Sequence, residues 1–439
     1  MLKVQHIHTL LRCTILLMLT NFPREIYGSQ ATRLRNLQGT PFLPLWNSGH
    51  YNNINRIVPT STGSPRRVRA PILQQDNYSF NNRQSRFLSL FTFVQFSNQE
   101  CMGATGDNGT CLTAQQCQQR GGSSSGPCAG GYGMCCVFLA TCGMTVRENG
   151  TYFVHSGYPT IYDGTGSCQI TLMKMNLNVC QYRLDFDQFQ IMGPEIQNNI
   201  CNNDQFIVSG SSPVPPICGL NSGNHMYIDA GSGASNPITL SVITSGPSYR
   251  RSWKIRVTQI PCNSPVKAED GCLQYFTGVA GQIMSFNYEP TSGLHLSNQD
   301  YSICVRTEKN FCGVQYTQCP DTVNNRSVSF TLSGNTANNN AVPAMVGSTG
   351  TGNFCQNDYL IIPMVMNVGR PVTGASATVD RVCGGTLAAD VTLQSTPVRS
   401  NVKPFRLYFH TDARETPQDQ GNRGFCLNYV QQPCTNTLA

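Results

Sequence analysis

Cysteine offers more chemistry than any other side chain in this 439-residue sequence, which contains 21 of them. A thiolate is a nucleophile or a soft metal ligand, whereas an oxidised pair is an inert staple. Cys13 sits alone in an N-terminal apolar stretch, and the other 20 lie between Cys101 and Cys434. That even, dense set points to disulfides formed in an oxidising compartment. If all of them pair, no thiolate remains for catalysis. Histidine offers little more. His50, His155, His225, His295 and His410 follow the N-terminal stretch, and none has the H-E-x-x-H spacing of a zinc protease. His155 and His410 adjoin strand-like runs and read as edge residues of a sheet. No serine occupies a nucleophile elbow, since Gly231-Ser232-Gly233 belongs to a Gly/Ser loop. No enzyme is expected. Six loop tyrosines, Tyr158, Tyr162, Tyr227, Tyr249, Tyr288 and Tyr301, read as exposed rings able to anchor a partner, because tyrosine supplies rigid amphipathic contact area.

The elements that must position these groups begin with a leader. Lys3 and Arg12 flank an apolar core too short to span a bilayer, so residues 1–28 read as a signal peptide. No later run reaches spanning length, and a secreted protein is expected. N-x-Ser/Thr sequons at Asn77, Asn108, Asn149 and Asn325 predict glycosylated surface loops. Residues 29–86 lack apolar periodicity and read as a disordered basic arm. Arg33, Arg35, Arg56, Arg66, Arg67, Arg69, Arg83 and Arg86 there face one acid, Asp76, so the arm accounts for the formal net charge of +7. A basic arm on nearly neutral domains does not make a nucleic-acid binder. Within it Arg66-Arg67-Val68-Arg69 reads either as a solvated linker or as a processing site cleaved after Arg69.

From Phe87 the character changes. Phe87–Phe96 is an aromatic lead-in to residues 87–141, which hold Cys101, Cys111, Cys117, Cys128, Cys135 and Cys136 among Gly-rich loops. So small a block needs staples in place of a core. Beyond Cys142, short alternating runs such as Tyr182-x-Leu184-x-Phe186 and Trp253-x-Ile255-x-Val257 are separated by Gly, Asn and Pro clusters. Alternation at period two predicts an all-β chain built of β-sandwiches.

Two resemblances sharpen this. Six cysteines ending in the adjacent pair Cys135-Cys136, approached through Gly131 and Gly133, resemble a clip-type knot, which implies Cys101–Cys135, Cys111–Cys128 and Cys117–Cys136. Cysteine spacing alone leaves 15 connectivities open. Residues 142–262 and 272–434, joined by a linker at 263–271, resemble two CUB domains, which are jelly-roll β-sandwiches. The second copy carries Gly281-x-Ile283-x-Ser285-Phe286-Asn287-Tyr288, Cys355-Gln356-Asn357-Asp358-Tyr359-Leu360, Cys383-Gly384, and Phe409-His410-Thr411-Asp412 followed by Gly424-Phe425. The first carries Ser156-x-Tyr158-Pro159, Cys201-Asn202-Asn203-Asp204, Cys218-Gly219 and Arg251-Ser252-Trp253. The chain as a whole resembles secreted arthropod CUB proteins that carry no protease domain. The family's disulfides then map to Cys142–Cys168, Cys201–Cys218, Cys272–Cys304 and Cys355–Cys383. For the remainder, antiparallel neighbours keep a constant index sum. Cys312 with Cys434 and Cys319 with Cys426 differ by one in that sum, as on one strand pair with a bulge. Cys180–Cys262 is the first copy's equivalent of Cys312–Cys434.

Some CUB domains bind calcium through a Glu, the Asp of C-x-x-D and the Asp of F-x-S-D. In the second copy Asp358 and Asp412 match, but no acid stands where the Glu should be. In the first copy Asp204 matches and Glu195 is loosely placed. Calcium is the only cofactor to consider, and Asp358 and Asp412 are its candidate ligands. The resemblance implies non-enzymatic recognition of extracellular proteins or glycans. Rival roles are a regulator or cofactor of an extracellular serine-protease cascade and a structural component of extracellular matrix.

Overall fold

A computed structural model of the protein describes residues 95–434, except 211, 232–236, 324, 337–341, 348–354, 369–378 and 392–393. The leader, the arm with Asn77 and Arg69, and the first part of the Phe87–Phe96 run lie outside the described residues. The described chain is almost entirely β.

Residues from Glu100 form a four-stranded sheet with one short helix, Ala114–Gln119. Thr113 caps that helix by a reciprocal pair of bonds with Gln116, which satisfies end groups that six residues of helix leave exposed. Leu112, Cys117, Cys136 and Phe138 are its small core, with Cys101–Cys135, Cys111–Cys128 and Cys117–Cys136 as staples. The block is fastened to the sandwich that follows. Lys254 pairs with Asp107, Arg256 pairs with Glu100, and the Asn108 N–H donates to the Tyr152 hydroxyl at 2.9 Å. Leu139–Ala140 then enters the sandwich itself, running parallel to Thr151–Val154.

The first sandwich stacks a five-stranded sheet on a four-stranded one. In the former, Val179–Gln190 lies between His225–Asp229 and Ser252–Pro261, and in the latter Ile238–Thr244 lies between Gln205–Ser209 and Gly166–Leu172. In Ser252–Pro261, Trp253, Ile255 and Val257 are buried while Lys254 and Arg256 are half-exposed, the alternation expected when one strand face meets a core. The second sandwich shares a strand between its sheets. Tyr359–Asn367 pairs with Phe405–His410 at its start and with Val398–Ser400 at its end. The switch falls where the register shifts, between Ile361 and Val365, and Met364 there adopts a positive φ of 48°. A bulge of this kind bends a strand from one sheet to the other.

His155 is not an edge residue. It is 1% exposed, with its ring edge-on to Trp253 at 5.2 Å. Nor are Tyr227, Tyr288 and Tyr301 exposed anchors, at 5%, 9% and 6% exposed. Their hydroxyls are met inside, as where Tyr288 donates to Asp321 at 2.8 Å, so their ring area is spent on packing. Tyr158, Tyr162 and Tyr249 are half-buried. Of the sequons, Asn325 is exposed in the turn between two short strands and Asn149 is exposed, its side-chain oxygen accepting from the Gln259 N–H. Asn108 is half-buried in a strand of the small sheet.

The sandwiches are stapled by Cys142–Cys168, Cys180–Cys262, Cys201–Cys218, Cys272–Cys304, Cys355–Cys383, Cys312–Cys434 and Cys319–Cys426. The last two join the same strand pair, Phe311–Gln318 with Gly424–Pro433, whose register shifts between Phe311 and Gly313 beside Cys312. They close nested loops of 122 and 107 residues, so with one in place the other closes only about 15. In the chain-entropy account, removing either bridge costs about 3 kcal/mol, whereas removing both costs about 8. Urea unfolding of the single and double cysteine-pair variants checks this. A double loss no larger than the sum of the two single losses would rule out nesting as the source.

Candidate functional site

The two C-x-x-D aspartates are both fully buried, Asp204 at 0% and Asp358 at 1% exposure, and their surroundings differ. A buried carboxylate must be met by donors or by a cation, since desolvation costs several kcal/mol. Asp204 meets both. Arg251, also 0% exposed, donates from Nε to Oδ2 at 2.6 Å and from Nη2 to Oδ1 at 3.0 Å. The Met192 and Ser245 N–H groups complete the two oxygens at 2.7 and 3.1 Å. Arg251 Nη2 also donates to the Ser245 carbonyl at 2.8 Å, which ties the loop after Ile238–Thr244 to the residue just before the strand Ser252–Pro261. Glu195 accepts from the N–H groups of Gln197 and Asn198, capping its own turn. The cation of this site is Arg251, and Asp204 has no lone pair left for calcium.

Asp358 is otherwise. Its Oδ1 accepts from the Asp412 N–H at 3.0 Å, and its Oδ2 is buried with no hydrogen-bond partner. The Asp412 carboxylate accepts from the Arg414 N–H and caps its own loop. Instead of a second family carboxylate, the site holds His295 and Glu415, with Nε2 and Oε1 2.8 Å apart and side-chain exposures of 0% and 3%. Burial pushes the Asp358 carboxyl up to about 7. Burial and the Glu415 charge together push Asp419 up to about 6. For His295 burial acts downward, but Glu415, Asp358 and Asp419 outweigh it and raise its pKa. Calcium takes about six to eight oxygen ligands. An imidazole at the centre of the cluster, and an Asp412 turned to its own loop, do not fit calcium. His295, Glu415 and Asp419 escaped the reading of the sequence because they come from loops with no motif spacing to one another.

Between the sandwiches runs a polar seam. Gln181 and Ala268 bond reciprocally, the Asn287 N–H donates to the Asn221 side chain at 2.8 Å, and the Leu220 N–H donates to the Asn287 side chain at 2.9 Å. Gln299 donates to the Pro216 carbonyl, and Asn199 donates to Glu415 at 3.2 Å. Gly219 has a φ of +79°, and a Cβ there would overlap the Asn287 side chain. Apolar contact continues through both cores and through a smaller cluster of Tyr227, Ile260, Ala268, Cys272, Tyr275 and Cys304 at the junction. His225 is part of this seam. Its Nε2 lies 2.9 Å from the Tyr275 carbonyl and 3.1 Å from the Tyr275 nitrogen, and its ring sits edge-on to Phe276.

Two outcomes are expected. Arg251→Met leaves a buried, unpaired carboxylate and costs about 3–5 kcal/mol, most of which Asp204→Asn in the same chain restores. Denaturant unfolding of the single and double variants checks this, and an additive double variant would show that the pair is uncoupled. For His225, burial and the Arg183 charge lower the pKa from 6.5 to about 4, with Asp185 opposing. A depressed histidine pKa means that its contribution is complete above about pH 6.5 and is lost as pH falls toward 4, by roughly 3 kcal/mol in all. Asp358, whose pKa is raised, acts in the opposite sense, losing stability as pH rises through about 7. Because Asp358 changes in the other direction over the same range, the melting temperature at pH 7 minus that at pH 4.5 should be lower for His225→Gln than for the parent chain. An unchanged difference would remove His225 from the account.

No curated protein sequence matches this chain. Among solved structures, the CUB1-EGF-CUB2 domains of rat MASP-1 are 12% identical, covering 66% of this chain and 99% of that one with a TM-score of 0.22. The same region of human MASP-1/3 is 12% identical over 65% of this chain and 100% of that one, with a TM-score of 0.21. The full extracellular region of zebrafish Gpr126/Adgrg6 is 13% identical over 66% of this chain and 36% of that one, at 0.23. These superpositions are too weak to argue from. The animal CUB domain family matches residues 269–432, the span of the second sandwich. With the β-sandwich core and its staples on view, the chain carries a CUB domain over residues 269–432.

Proposed function

We propose that the protein is a secreted, non-catalytic recognition protein that binds an extracellular protein or glycan through two CUB-like sandwiches, residues 142–262 and 272–434, acting as one rigid body behind a clip-like block. The observation that carries this is the seam. Hydrogen bonds such as Asn287 to Asn221 and an apolar cluster continuous through both cores join the sandwiches, so a partner spanning both meets a preorganised surface. Ordering two loosely linked domains at the moment of binding costs affinity, and a fixed junction removes that cost. The Arg251–Asp204 pair supports a second element of the reading. The first sandwich holds its loop with an internal cation, so its contribution to binding does not depend on calcium. No described helix is long and apolar enough to cross a membrane.

The full-length protein, immobilised and exposed to its native extracellular fluid, should retain a partner saturably, with or without added calcium. Gly219→Ala, which forces Asn287 out of the seam, should weaken retention by about tenfold or more while leaving both sandwiches folded by circular dichroism. Equal retention by this variant would refute the rigid-pair reading. Hydrolysis of a captured partner by the purified protein would refute the non-catalytic one. Capture of a serine protease or its zymogen would assign the module to a protease cascade, and recovery in cross-linked, insoluble material would assign it to matrix.

A further inference from the structure

We propose that His295, Asp358 and Glu415 form a binding site for a zinc-class divalent metal ion at the edge of the second sandwich. One ligand atom from each lies within 4.8 Å of the other two. Zinc takes imidazole nitrogen and carboxylate oxygen at about 2.0–2.2 Å, which sets tetrahedral ligand atoms roughly 3.3 Å apart. The cluster brackets that spacing, since its closest pair, His295 Nε2 and Glu415 Oε1, stands at 2.8 Å. A fourth position would be left for water, as in open sites.

The second observation is what these atoms lack. His295 Nδ1 and Nε2, Asp358 Oδ2 and Glu415 Oε2 are all buried without a hydrogen-bond partner. The 2.8 Å contact of Nε2 with Oε1 therefore lacks hydrogen-bond alignment, although the two atoms are close enough for one. Asp204, the corresponding aspartate of the first sandwich, provides an internal contrast. There four donors fill both oxygens, and a guanidinium supplies the charge. In the second sandwich Asp358, Glu415 and Asp419 gather around one imidazole, and a divalent cation would neutralise most of that charge. Nitrogen and oxygen donors together select zinc-class ions over calcium, which takes oxygen alone.

Three separate segments deliver the ligands, and each is anchored. The His295 N–H donates to the Asn422 carbonyl at 2.9 Å, Asp358 precedes the strand Tyr359–Asn367, and Glu415 accepts from Asn199 of the first sandwich at 3.2 Å. An ion here would fix the loop that carries Glu415, which already touches Asn199 of the first sandwich. The site stands independently of any partner the module binds.

The test is calorimetric titration of the full-length chain, stripped with EDTA and dialysed, with zinc chloride and in parallel with calcium chloride. The expected result is about one zinc per chain at sub-micromolar affinity, with calcium at least 100-fold weaker. His295→Gln and Glu415→Gln should each weaken zinc by at least 100-fold, and His410→Gln should leave it unchanged. Cobalt(II) should give visible absorption bands in the parent chain that are missing from the two ligand variants. Glu415→Gln retains an oxygen for Asn199, so it decides the matter even where His295→Gln fails to fold. Failure to bind zinc, preference for calcium, or stoichiometric zinc binding that survives Glu415→Gln would each overturn the site.

Discussion

A carboxylate removed from water must be given back its charge balance, and both sandwiches are organised around one such group. In the first, Asp204 is met by Arg251 and two backbone N–H groups. That bidentate pair joins the loop after Cys201, the loop after Thr244 and the strand beginning at Ser252. Its position matters as much as its energy. A guanidinium is a planar fork that must approach from one side, so both loops can close over it in only one arrangement. In the second sandwich Asp358 occupies the corresponding place, but what faces it is an imidazole and two more carboxylates. The same fold position has been solved once by a permanent internal cation and once by a cluster whose charge is conditional.

The seam depends on this constraint from the other side. Asn199 lies in the loop that Glu195 caps, and it reaches across to Glu415. The loop that leads to Asp204 thus touches the loop that carries Glu415, one of the groups facing Asp358. Buried polar bonds contribute only about 1 kcal/mol each net, but an orphaned partner costs more, so a seam of them tolerates one geometry. Gly219 shows how tight that geometry is, because it leaves no room for a methyl group beside Asn287. The apolar cluster supplies affinity between the sandwiches and the polar bonds supply register.

The all-β class was legible in the sequence because alternation is a local property. Trp253, Ile255 and Val257 announce a half-buried strand wherever they fall in a chain. The buried charges were legible by half. Asp204 and Asp358 stand in a recognisable motif, yet nothing near either names its partner, since Arg251 and His295 come from distant segments. Asp204 matches the motif, yet a motif records where a carboxylate stands and not what cation answers it. The tyrosines misled for a related reason. Tyr227, Tyr288 and Tyr301 sit among polar and turn-forming residues, which suggests exposure, but the seam and the second core bury their rings. Burial at a junction between two sandwiches is set by the partner surface, which leaves no periodicity in either strand.

The difference between the two aspartates sets the loops of the two sandwiches apart. Arg251 fills both oxygens of Asp204 from one planar fork, so the first sandwich is committed to one loop arrangement. His295 holds its charge only while its proton remains, and Asp358 resists ionisation so long as it stays dry. Glu415 touches both Asn199 and His295, so one carboxylate joins the cluster to the seam. The two sandwiches therefore hold their aspartates by different means, a guanidinium in the first and an imidazole among three carboxylates in the second.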